Sequence, residues 1–205
     1  MSETTRRRAW NCGRKMGSKT MTSDDVGVLI RASSPRCPSG IRNKALIATL
    51  YRTGLRSHEA VSLNVSDLDT AEGTLHVQHG KSGKTRRVGL PNDAMKHVLL
   101  WLGERHRIGL NGDGPLFSTL KGTTMSTRYV RGMMQRLAKR AGLDRRVNPH
   151  CFRHTNASEL EAEGTPVTLI QKHLGHASLV TTQRYLDHVN PRAVIAANRN
   201  REARL

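Results

Sequence analysis

Two short stretches of this chain alternate apolar and polar residues, 74–79 (TLHVQH) and 85–90 (TRRVGL), and Gly80-Lys81-Ser82-Gly83-Lys84 joins them. A period of two sends successive side chains to opposite faces of a strand, and a glycine-rich connector of this length is hairpin chemistry. The long segments on either side carry apolar residues at helical spacing instead. The fold is therefore expected to be mainly α with a small antiparallel β-sheet (α+β).

Helix punctuation sets the expected boundaries. Ser23, followed by Asp24 and Asp25, reads as a helix start, with the helix running to about Ala32 before Ser33, Ser34, Pro35 and Pro38 interrupt it. Residues 41–53 read as a second helix closed by Gly54, and Ser57 as the cap of a short one through Leu63. Further helices are expected over 93–107, from Ser126 to Ala141, and from Asn148-Pro149 to Glu163. The last of these begins with a cap residue and then a proline at the first helical position. Short helices should follow at 166–174 and 178–187, with a tail helix at 191–200. Residues 1–20 are polar and basic with no periodic apolar face, which reads as a disordered arm. Residues 21–205 read as one domain ending in the tail helix.

The net charge is +18, with arginine well ahead of lysine. Such an excess implies a polyanion partner, and arginine's planar fork suits phosphate. Aromatic residues make up 3% of the chain, too few for the stacking platforms that single-stranded nucleic acid needs, so duplex DNA is the favoured partner. Cys12, Cys37 and Cys151 are far apart and odd in number, which fits a reducing compartment rather than a disulfide framework. No apolar run reaches the ~18 residues of a membrane span. Arg6, Arg7 and Arg8 have no apolar stretch behind them, unlike a secretory signal. A cytoplasmic, DNA-associated protein is expected.

Chemistry-bearing residues fall in a definite order: Arg56, Lys81, His150 with Arg153, His176, then Tyr185. His150 and Arg153 are three apart in the first turn of a helix, where free backbone N–H groups and the helix dipole already favour an anion. Arg56 follows a helix end, and Glu59 is placed to hold its guanidinium. Lys81 in the hairpin can donate a proton to a leaving oxygen, with Lys84 as the other candidate. Lys84, Arg86 and Arg87 are expected to contact DNA. A tyrosine hydroxyl titrates near 10, so Tyr185 needs basic neighbours before it can attack a phosphodiester. GKSGKT (80–85) is not a P-loop: the first glycine of that pattern would fall at Gln78, and a strand follows it rather than a helix. HCFRH (150–154) lacks the glutamate of HExxH and carries an arginine between its histidines, so no metal and no cofactor is expected.

GLRSHEA (54–60), HGKSGKTRRVGLP (79–91), HCFRHT (150–155) and LGHASLVTTQRY (174–185), in this order, resemble the tyrosine recombinases, or phage-type integrases. The resemblance covers about residues 21–195 and implies metal-free strand exchange through a 3′-phosphotyrosyl intermediate. It implies Tyr185 as nucleophile and Arg56 and Arg153 as the clamp on the scissile phosphate. His150 would help accept the tyrosine proton, Lys81 would protonate the 5′-oxygen, and His176 would bond the phosphate. Since the bond energy is kept in the phosphotyrosine link, rejoining needs no nucleotide. The resemblance further implies a homotetramer on two duplexes, with a monomer when free as the other state, and a bacterial or phage origin. Only about 20 residues stand where the family carries an N-terminal clamp domain, as in the short recombinases of fimbrial phase switching; a fragment of a longer parent is the other option. Tyr185 and His188 are one residue further apart than the family's usual spacing. A DNA-binding remnant that cuts nothing, and a type IB topoisomerase-like relaxer, are the competing readings.

Overall fold

A computed structural model describes residues 20–78 and 85–175. The arm before Thr20, the hairpin connector 79–84 and the helices expected at 178–187 and 191–200 lie outside the described residues. Among the described residues, no helix is long and apolar enough to cross a membrane.

The first helix, α1, is Ser23–Ala32, and its cap is Thr22 rather than Ser23. The Thr22 hydroxyl accepts from the Asp25 N–H at 3.1 Å, while the Asp25 carboxylate accepts from the Thr22 N–H at 3.0 Å. This reciprocal closure needs a hydroxyl three residues before a carboxylate, which Thr22 has and Ser23 lacks. The second helix, α2 (Pro38–Thr53), begins earlier than expected because Pro38 is its first residue and not a breaker. Gly40 is required there: a Cβ would meet the Ser34 carbonyl oxygen at 2.1 Å. The helix is buried on most sides, with Ala45, Leu46, Ile47 and Leu50 fully enclosed, and it packs against α1 and, among the later helices, chiefly against two. Each large apolar side chain buried this way contributes roughly 2 kcal/mol.

A short helix, α3 (Ser57–Ser62), follows, with Arg56 as its N-cap. Ser57 was expected to cap it, but the Glu59 carboxylate does so, accepting from the Arg56 N–H at 2.8 Å. The sheet consists of β1 (Leu68–Asp69), β2 (Thr74–Gln78) and β3 (Thr85–Gly89), antiparallel and in that order. Leu75 lies opposite Val88, and Val77 opposite Arg86. Leu75, Val77 and Val88 face the core, whereas His76 and Arg87 face solvent. β1 has two residues, too few to show a period in sequence.

The remaining helices are α4 (Asn92–Arg107), α5 (Thr127–Arg140), α6 (Pro149–Ala162) and α7 (Val167–Leu174). α4 and α6 are the two that flank α2. Ser126 and Asn148 cap α5 and α6 with their side chains, as the sequence suggests. Two arginines are structural. Arg42 on α2 is 2% exposed and donates to the Ser118 carbonyl and the Tyr129 hydroxyl, both at 3.0 Å. Arg105 on α4 donates to the Pro115 and Leu116 carbonyls, and Trp101 Nε1 bonds the latter at 2.7 Å. These bonds satisfy carbonyls of the irregular backbone between α4 and α5, where bridges occur singly rather than as a ladder.

Candidate active site

α2 ends at Gly54, whose φ of +60° is left-handed and costs a side-chain-bearing residue energy. A Cβ at Gly54 would meet Leu174 Cδ2 at 2.7 Å and Asn156 Oδ1 at 2.8 Å. The ends of α2 and α7 and the flank of α6 therefore meet at this glycine. Arg153, from α6, is 1% exposed and reaches into the junction. Its Nη1 donates to the Gly54 carbonyl at 2.7 Å and its Nη2 to the Leu174 carbonyl at 2.6 Å. Arg56, the N-cap of α3, reaches the same end of α7. Its Nη1 donates to Glu59 Oε1 at 3.1 Å and its Nη2 to the Gly175 carbonyl at 3.4 Å. Both guanidinium planes are thus oriented by the C-terminal end of α7.

His150 stands in the first turn of α6, where Asn148 Oδ1 accepts its backbone N–H at 2.9 Å. The residue is exposed, yet the surrounding protein still costs its charged form hydration. That desolvation, and then the charges of Arg153, Arg56 and Arg131, hold the imidazole below its ordinary value. At neutral pH the ring is therefore a proton acceptor. It opens on a cleft of about 260 Å³ lined also by Ser57, Thr127, Arg131, Arg146 and Asn148. The cleft offers the guanidinium groups of Arg131 and Arg146, a neutral imidazole and a helix N-terminus, with the charges of Arg56 and Arg153 close enough to act on that imidazole, and such a set can bind a phosphodiester and take a proton beside it.

Beyond Arg131 the exposed face of α5 continues as Arg128, Gln135, Arg136 and Lys139. Part of it lines an open groove of about 570 Å³ that shares Thr127 and Arg131 with the cleft. Sequence reasoning did not single out this face. The signal was present, because these residues recur at helical spacing opposite buried Val130, Met133, Met134 and Leu137.

Of the residues expected at the site, Arg56, His150 and Arg153 come together. Lys81, Lys84, His176 and Tyr185 lie outside the described residues. Arg87 is exposed on the outer face of β3. Arg86 was expected to contact DNA, but its guanidinium faces inward. Nη1 and Nη2 bond the two Glu59 oxygens at 3.0 Å each, and Nε bonds the His173 carbonyl at 3.0 Å. Strand alternation explains this: Arg86 shares the inward face of β3 with Val88. Burial pushes the Glu59 carboxyl up, but hydrogen bonds from Arg86 and the Arg56 N–H outweigh it and hold the group at about 2.

The chain matches the phage integrase family over residues 19–192. It is 36% identical over 182 residues to the tyrosine recombinase XerC of Thermodesulfovibrio yellowstonii, covering 86% of this chain and 60% of that protein. It is 35% identical over 184 residues to the tyrosine recombinase XerD of Mycobacterium leprae, covering 84% and 57%. The chain thus spans less than two thirds of the length of these curated relatives. Its fold is similar to the crystal structure of XerA recombinase, with a TM-score of 0.78 at 31% identity over 93% of this chain and 66% of that one. It is also similar to XerH site-specific recombinase bound to palindromic difH substrate, with a TM-score of 0.73 at 29% identity over 87% and 52%. The order of motifs, the mainly helical fold with its small sheet and the match across residues 19–192 agree, and the chain belongs to the phage integrase family, the tyrosine recombinases.

Proposed function

We propose that the chain is the catalytic region of a site-specific recombinase that cuts and rejoins duplex DNA through a 3′-phosphotyrosyl intermediate. The observation that carries this is the convergence of Arg56, His150 and Arg153 where α2, α3, α6 and α7 meet. In this reading Arg56 and Arg153 hold the scissile phosphate and stabilise the charge that develops on it. Neutral His150 accepts the Tyr185 proton as the phenol oxygen attacks phosphorus. Lys81 protonates the departing 5′-oxygen, and His176 bonds the phosphate. The basic face of α5 follows the duplex backbone. The relatives' named activity and the XerH–difH complex support duplex DNA as the partner. The working form is a homotetramer on two sites.

A library of nicked suicide duplexes with randomised cores tests this reading. Wild-type protein should enrich a subset as adducts that survive denaturant, and Tyr185→Phe should give none. An adduct formed equally well by Tyr185→Phe removes Tyr185 from the mechanism. Sequence-selective binding with no adduct from any library member favours the inactive remnant, and relaxation of unrelated plasmids favours a topoisomerase-like enzyme.

A further inference from the structure

We infer that Arg86 is a positioning residue for the strand-cleavage step, an interlock that sets Arg56 through Glu59 and ties β3 to the end of α7. This role rests on the recombinase reading above. Glu59 is 3% exposed and sits between the two arginines. Its Oε1 accepts from Arg86 Nη1 at 3.0 Å and Arg56 Nη1 at 3.1 Å. Its Oε2 accepts from Arg86 Nη2 at 3.0 Å and the Arg56 backbone N–H at 2.8 Å. Four charge-assisted or backbone bonds thus orient one carboxylate, and that carboxylate holds the Arg56 side chain and backbone together. Arg86 Nε adds the third tie, to the His173 carbonyl in the last turn of α7. Arg56 Nη2 bonds the Gly175 carbonyl two residues further on.

The geometry separates Arg86 from a DNA ligand. All three of its guanidinium nitrogens donate to protein acceptors, two to the Glu59 carboxylate and one to the His173 carbonyl, so the whole fork is committed within the fold. A bidentate fork held this way transmits orientation, and a lysine cannot reproduce it because an ammonium is a point charge. Catalytic groups displaced by about 1 Å lose on the order of 100-fold in rate. Removing Arg86 should therefore slow cleavage while leaving the bound duplex in place.

The test uses the full chain and a nicked duplex enriched from the library. Two quantities are read for wild type, Arg86→Gln and Arg86→Lys: the Kd with its salt dependence, and the single-turnover rate of adduct formation in the saturated complex. An interlock predicts that Kd stays within about threefold, the salt slope is unchanged, and both variants cleave at least about tenfold more slowly. Full recovery by lysine, or a salt slope lowered by about 0.9 with an unchanged cleavage rate, assigns Arg86 to a phosphate and overturns the proposal. If loss of Arg86 unfolds the protein by stranding Glu59, the paired variant Arg86→Met with Glu59→Gln removes both buried charges together. That folded pair should show the same slow cleavage, and wild-type rates from it overturn the interlock. Wild-type protein that forms no adduct fails the recombinase reading and takes this one with it. A wild type that cleaves beside an Arg86→Gln of equal rate overturns the interlock alone.

Discussion

Arg153 on α6 and Arg131 on α5 both bear on His150, yet one is 1% exposed and the other lies open to solvent. The junction of α2, α6 and α7 holds its arginine by two backbone carbonyls at helix ends, Gly54 and Leu174. There the guanidinium is a structural member as well as a charge, and its plane is set before any ligand arrives. The α5 face presents Arg128, Arg131, Arg136 and Lys139 on one exposed side. Those long side chains supply positive field, and in the recombinase proposed above they would adapt to a duplex backbone passing over them. The first region fixes geometry and the second, in that proposal, supplies affinity, although the residue type is nearly the same.

The sharpest way to break this contrast is Arg153→Lys. The charge stays, but one ammonium cannot replace the two-carbonyl fork. Stability in urea should fall by about 2–4 kcal/mol, as for a broken buried charged contact, and adduct formation by about 100- to 1000-fold. A variant that melts and cleaves like wild type would erase the distinction between the two regions.

Glu59 gives the next effect. Its folded pKa, about 2, lies below the ordinary carboxylate value of 4.5. A depressed carboxylate contributes stability that is complete above its unfolded pKa and lost as pH falls through the folded one. The loss should fall between pH 4.5 and pH 2 and amount to something on the order of 3 kcal/mol. Urea unfolding across that window should show a steep acid limb in wild type and a flatter one in Glu59→Gln. Equal limbs would mean that the Arg86–Glu59–Arg56 network does not carry the acid sensitivity.

Arg131→Ala should have the smallest effect and should show itself in two ways. Losing one phosphate contact should weaken duplex binding and lower the salt slope by about 0.9. Removing a positive neighbour should also let the His150 imidazole rise towards 6.5. Cleavage that depends on neutral His150 falls as pH drops and the imidazole takes up its proton, so its acid limb should move to higher pH in the variant. A pH–rate profile that does not move would detach Arg131 from the imidazole and leave it only in the field of α5.

Much of the architecture could be read along the chain because its signals are local. Asn148-Pro149 announces α6, Ser126 announces α5, Gly54 closes α2, and the alternation at 74–78 and 85–89 makes a ladder. Pro38 was harder: proline interrupts a helix interior and initiates a helix with equal force, and only its neighbours decide. Family membership was legible from four motifs in order, as the match over residues 19–192 agrees.

Which charges act together was not written locally. Arg86 and Arg87 are adjacent in sequence with the same chemistry, yet one is locked on Glu59 and the other faces solvent. Strand parity alone leaves open which face is inward; packing of Leu75, Val77 and Val88 against the helices chose it. Likewise, Arg56 and Arg153 are 97 positions apart by number, and their shared anchor at the end of α7 exists only because a left-handed glycine lets three elements close on one point. Local sequence determined the elements and the residue types, since caps and periodicity act over a few residues. Tertiary packing decided which arginines became fixed geometry and which remained open charge, because burial and hydrogen-bond partners come from distant parts of the chain.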